Sequence, residues 1–169
     1  MPNLAIIFAA ITAAAAPATP AKPPCAQAEF HQLDFWIGQW NVYEKDTGKK
    51  SSTSRIEGVM GGCGIGEHYE EPGDPSGPYS GTSYSSFDRD DGKWHQMYID
   101  TNGNVEWFTG GLVGSDMVME APGKKTIIRK MVYRKLADGS VEQIGTASLD
   151  GGTTWKPRYD YIYKKAQRA

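Results

Sequence analysis

The stretch Lys93-Trp94-His95-Gln96-Met97-Tyr98-Ile99-Asp100-Thr101-Asn102-Gly103-Asn104-Val105-Glu106-Trp107-Phe108-Thr109 decides the fold. Two aromatic-rich, β-prone runs, Lys93 to Ile99 and Val105 to Thr109, flank Asn102-Gly103. Asn-Gly favours a tight hairpin turn, because both residues tolerate the positive φ that such a turn requires. The same pattern extends in both directions. Turn signals recur at Asp46-Thr47-Gly48, Met60-Gly61-Gly62, Asp90-Asp91-Gly92, Val113-Gly114, Pro122-Gly123, Ala137-Asp138-Gly139 and Asp150-Gly151-Gly152. Runs such as Thr126 to Arg134 and Tyr159 to Tyr163 lie between them. Glu71 to Tyr79 carries Pro72, Pro75 and Pro78 and reads as a longer loop. About ten strands result, with one helical turn near Phe30 to Trp36 as the sole exception. A meander of this kind either splits into a sandwich or closes on itself. Its connections are mostly too short for Greek-key crossings, and closure removes exposed strand edges. The expected fold is all-β: a single up-and-down antiparallel barrel of about ten strands.

The composition agrees with that reading. The chain has 169 residues, a length that fits one domain. Gly 20, Trp 5, Tyr 9 and Phe 5 make it rich in turns and rings, unlike a helical bundle or a disordered chain. The 18 Lys+Arg and 20 Asp+Glu are interspersed, with no basic stripe to bind nucleic acid. Residues 1–18 carry no charged side chain, and Leu4 to Ala16 is apolar or small apart from Thr12. With Ala16-Pro17-Ala18 as a small-x-small cleavage pattern, they read as a secretory signal, too short to span a membrane as a helix. Residues 19–29 read as an extended leader and residues 30–165 as the barrel domain. The expected location is secreted or periplasmic.

Cys25 and Cys63 are the only cysteines. In an exported chain two thiols most often pair, and this pair would close a loop of about 38 residues. No base or histidine cluster near Gly61-Gly62-Cys63-Gly64 supports a nucleophilic or zinc-binding thiol. In an alternating meander Cys25 and the second turn also fall at one barrel end, so a disulfide is expected.

Gly38-Gln39-Trp40, opening the first strand after a one-turn element, resembles the Gly-x-Trp signature of lipocalins and related calycin barrels. In those proteins the tryptophan plugs the closed end and a basic residue of the last strand covers it. The resemblance assigns these closure roles to Gly38, Trp40 and Lys165. A wider resemblance runs through Leu33-Asp34-Phe35-Trp36-Ile37-Gly38-Gln39-Trp40, Gly61-Gly62-Cys63, Trp94 to Asp100, Gly110-Gly111-Leu112 with Met117-Val118-Met119-Glu120, and Asp150 to Trp155. These segments, in this order, resemble the domain-of-unknown-function 1579 family of small, often secreted bacterial proteins. That family implies a lipocalin-like barrel and no established activity. The chain departs from the pattern at Gly145-Thr146, where a bulky aromatic followed by a carboxylate is expected.

Other motifs point to structure. Ser148-Leu149-Asp150-Gly151-Gly152-Thr153-Thr154-Trp155 fits the Asp-box pattern familiar from sialidase propellers. A single copy excludes a propeller and reads as a stapled hairpin. His68 and Glu70 share one strand face without a third metal ligand, and Asp88 to Gly92 lacks the length and distal Glu of a calcium loop. No nucleophile elbow, phosphate loop or dinucleotide fingerprint is present, so no catalytic residue, metal or cofactor is assigned.

Trp94, Gln96 and Tyr98 alternate with His95, Met97 and Ile99, and the strand does not announce its inner face. If the first set is internal, Trp94, Gln96, Tyr98 and Trp107 line a cavity suited to a small hydrophobic or aromatic ligand. If the rings simply fill the barrel, no cavity remains. Three functions follow: a carrier of such a ligand, the leading expectation; an enzyme using acid–base groups in the same cavity; or an envelope interaction protein with a filled barrel.

Overall fold

The computed structural model describes residues 24–123 and 125–167. The signal-sequence reading of residues 1–18 lies outside them, as do residues 19–23 of the leader. Ten strands follow in chain order: β1 (Gly38–Glu44), β2 (Lys50–Val59), β3 (Gly64–Glu71), β4 (Tyr79–Asp88), β5 (Lys93–Asp100), β6 (Val105–Val113), β7 (Asp116–Pro122), β8 (Ile128–Lys135), β9 (Val141–Ser148) and β10 (Lys156–Lys165). Each pairs antiparallel with its sequence neighbour, and β10 returns to pair with β1, closing the barrel. The expected all-β, calycin-like up-and-down barrel of ten strands is therefore observed. Closure satisfies the edge groups that an open meander would leave unpaired. Among the described residues no helix is long and apolar enough to cross a membrane.

Hairpin turns are held by local side chains. At the β5–β6 turn the Asp100 carboxylate accepts the backbone N–H groups of Asn102 (2.9 Å) and Asn104 (3.0 Å), while Gly103 supplies φ 76°. The Asp-box hairpin uses the same physics. Asp150 accepts from Thr154 N–H at 2.9 Å, and the Trp155 indole donates to Gly152 O at 3.1 Å. Lys130 Nζ lies 4.1 Å from the Trp155 ring centre, fixing the hairpin to its neighbouring strand.

One barrel end is plugged. Residues 24–37 cross beneath it through short 3₁₀ turns at Ala28–His31 and Asp34–Trp36. Trp36 rises into the barrel, fully buried, 4.6 Å from the Tyr133 ring and 6.1 Å from the Tyr163 ring. The Trp40 indole donates to Trp36 O at 2.8 Å, and Lys165 Nζ covers the Trp40 ring at 3.9 Å. Gly38 is required by this contact, since a Cβ there would sit 2.3 Å from Lys165 Nζ and push it off the ring. The Cys25–Cys63 disulfide staples the crossing segment to the β2–β3 turn, with Cα atoms 5.0 Å apart.

Candidate functional site

The opposite end is open. A cavity of about 370 Å³ descends from it along the barrel axis. Such a volume accepts a small organic molecule. The inner faces of two strands make room for it. β2 contributes Ser52 and Ser54 inside, and β4 contributes Gly81, Ser83 and Ser85. Rings form the rest of the wall: Tyr69 from β3 and Tyr98 from β5, beside these small residues in the sheet, with Tyr133 from β8 and Tyr159, Tyr161 and Tyr163 from β10. Two glycines let rings lie against the backbone. A Cβ on Gly81 would fall within 2.0 Å of the Tyr98 hydroxyl, and one on Gly145 within 2.3 Å of the Tyr159 ring. The departure at Gly145 thus has a structural counterpart: the Tyr159 ring lies over the space that a side chain at position 145 would need.

The deep wall is polar. Glu67 on β3 is buried and faces the cavity; Ser54 Oγ donates to its Oε1 at 2.9 Å and Ser83 Oγ to its Oε2 at 3.3 Å. No lysine, arginine or histidine reaches this carboxyl among the described residues. Burial pushes its pKa up to about 7, against the smaller opposing effect of the two serine hydroxyls. Gln96 Nε2 ties Ser85 Oγ (3.1 Å) and Ser83 Oγ to the Tyr133 hydroxyl (3.3 Å). Tyr163 donates to Gln143 Oε1 at 2.7 Å. Burial drives the Tyr98, Tyr133 and Tyr163 pKa values well upward, so these rings stay neutral phenols.

The mouth is ringed by the β3–β4 loop, the β5–β6 turn and the start of β10. Its carboxylates are Glu71, Asp74, Asp100 and Glu106, with Arg158 among them. Tyrosines below hold two of these acids: Tyr69 donates to Glu71 at 3.0 Å and Tyr79 to Asp100 at 3.3 Å. The Tyr79 and Tyr98 hydroxyls meet at 2.7 Å, so a polar chain runs from Tyr98 through Tyr79 to Asp100 at the rim. Glu106 is paired with Arg129 at 3.2 Å.

Of the four residues expected to line a cavity, Gln96 and Tyr98 do so and two do not. Trp107 faces solvent, 63% exposed, because it pairs with Met97; residues directly opposite across a sheet share a face, and Met97 points away from Gln96. Phe108, opposite Gln96, is the inward ring of β6. Trp94 does face inward, but it is sealed in the plugged end, where its indole donates to Gln32 Oε1 at 2.9 Å. His68 and Glu70 pair on the outer surface at 3.1 Å. The residue missed there was their neighbour Glu67, which alternates with the inward apolar Ile65 and Tyr69; that alternation was its signal.

Among the described residues, Asp88, Asp91 and His95 place ligand atoms within 4.8 Å of one another, on the outer surface near the plugged end. Both carboxylates are already engaged, with Asp88 accepting Asp90 N–H and Asp91 accepting Lys93 N–H and the His95 ring. No family model matches the chain, and no curated protein matches it significantly.

Proposed function

We propose that the protein is an exported carrier or receptor that holds one small, flat, ring-bearing molecule non-covalently inside the barrel. One observation carries this reading: the barrel is plugged at one end and open at the other to a tyrosine-walled cavity of about 370 Å³. Neutral phenol rings offer flat apolar faces at low entropic cost, while Gln96 and Gln143 provide fixed amides for orientation. Export is supported by the disulfide, which persists in oxidising compartments, and by the composition of residues 1–18. The likeness to the domain-of-unknown-function 1579 family belongs to the same reading.

The test is calorimetric titration with indole, alongside native mass spectrometry of protein purified from its own host. Saturable binding of one indole per chain, or a retained small molecule, supports the carrier. Indole heats that never saturate, with no retained mass, would overturn it.

Glu67 favours one second reading. A buried carboxyl with a pKa near 7, facing a cavity, is poised to exchange a proton with a bound molecule. An enzyme would then use Glu67 as its acid–base group, and Glu67→Gln would abolish turnover while leaving ligand affinity in place.

A further inference from the structure

Resting on the carrier reading, we infer that the cavity selects organic cations: small amines or ammonium compounds carrying an aromatic or alkyl body, with the cationic group directed at Glu67. Three features of the cavity support this class. The deep carboxylate is hydrogen-bonded by two serine hydroxyls and has no cationic partner among the described residues, so a ligand ammonium would supply the missing counter-charge. The surrounding walls are tyrosine faces, whose quadrupoles attract a cation near the ring centre. The approach is acidic: Glu71, Asp74 and Asp100 stand at the mouth, while Glu106 is already neutralised by Arg129. Among the described residues, Arg158 is the single guanidinium lining the cavity.

An anion would meet the reverse of each feature. It would pass the acidic rim, lie against the negative faces of the rings, and stop at a carboxyl. A neutral ligand would gain from the ring faces alone. The walls thus grade ligands by charge, cation over neutral over anion, at constant shape.

Calorimetry with three probes of matched size tests this on the oxidised protein at about pH 8, where Glu67, with its pKa near 7, is largely ionised. The probes are 2-phenylethylammonium, 2-phenylethanol and phenylacetate. The cation should bind at least about tenfold tighter than the alcohol, and phenylacetate weakest. Glu67→Gln should remove the preference for the cation over the alcohol. A wild-type measurement guards against misfolding of that variant. Lowering the pH through about 7 should erode the cation's advantage, because the groups facing Glu67 are Ser54 of β2, Ser83 of β4, Gln96 and Tyr98 of β5, Tyr133 of β8 and Tyr159 and Tyr163 of β10, none of which titrates there. Equal affinities for all three probes would overturn the charge selection while leaving the carrier reading intact. A preference that survives Glu67→Gln but disappears in Asp100→Asn would overturn the role of Glu67. Failure of all three to bind would overturn both readings.

Discussion

Lys165 Nζ sits 3.9 Å from the centre of the Trp40 ring and donates a hydrogen bond to Ile37 O at 2.7 Å. The last strand thereby locks the first, at the register where Trp40 and Lys165 are direct cross-strand partners. Trp40 itself is fully buried and bonded to Trp36 O. Trp40→Ala should lower the free energy of unfolding by about 3–5 kcal/mol, as for other large buried aromatics. Lys165→Met should cost only about 0.5–1 kcal/mol, the range of an exposed cation–ring contact. Urea unfolding of both variants checks this, and similar losses in the two would contradict the division of roles.

The disulfide fastens the plug. Cys25 and Cys63 are 38 residues apart in the chain, and loop closure of that length is worth about 3–4 kcal/mol in the unfolded-chain model. Denatured, unreduced protein should titrate no free thiol. The double variant Cys25→Ala, Cys63→Ala should unfold at lower urea while still closing the barrel, since ten paired strands remain. Circular dichroism of the variant at low urea separates a weaker barrel from a lost one.

Strand count, turn positions and barrel closure were legible because turn chemistry and strand spacing are local signals, whereas the Trp40–Lys165 pair was implied by the resemblance of Gly38-Gln39-Trp40 to the calycin signature. The inner face was less legible, for a physical reason. A strand packed on a filled core puts apolar residues inside, but β4 puts Gly81, Ser83 and Ser85 inside and leaves Tyr84 outside. A cavity needs small or polar lining, so hydrophobic patterning inverts there. Trp107 was misplaced for a related reason: aromatic character suggested a cavity wall, whereas the register with Met97 sends it to solvent.

This assigns opposite outcomes to two aromatic substitutions. Trp107→Ser should leave indole affinity unchanged and alter stability by less than about 0.5 kcal/mol, as at other exposed sites. Tyr98→Ala removes a cavity wall, breaks the 2.7 Å bond to Tyr79, and should weaken indole binding at least about tenfold. Calorimetric titration of the two variants checks the pair. Loss of binding on Trp107→Ser would place the site on the outer surface.

Glu67 makes stability depend on pH in an unusual direction. Its carboxyl titrates near 4.5 in the unfolded chain and near 7 in the barrel, so between these values the folded state holds the proton that the unfolded state has lost. Stability contributed by this group is therefore full below about pH 4.5 and falls as pH rises to about 7. It is level above that, after a total loss of about 3 kcal/mol. Most paired carboxylates act oppositely, which makes the difference between wild type and Glu67→Gln the useful quantity. Urea unfolding across this range should show the variant gaining on wild type as pH rises. A constant difference would mean that Glu67 is solvated and ionised in the barrel.

Access to the cavity passes the loop between β3 and β4. Residues 72–78 form the connection that carries three prolines, and Asp74 from it lines the mouth. Asp74 accepts Ser76 N–H at 2.7 Å, and Gly77 N–H donates to Asp74 O at 3.0 Å, so the loop holds its own shape with few ties to the barrel. Replacing residues 73–77 with a two-residue turn should change stability by less than about 1 kcal/mol, because loop-closure entropy varies slowly with length. Association of a neutral probe such as 2-phenylethanol should change several-fold, since binding loops gate a rigid scaffold. A neutral probe is the right choice: removing Asp74 also removes a rim charge, and a cationic probe would confound steric gating with electrostatic steering. Stopped-flow fluorescence reads the rate directly. Unchanged association in a stable variant would place the gate at the β5–β6 turn, where Asn102 and Asn104 form the facing side of the mouth.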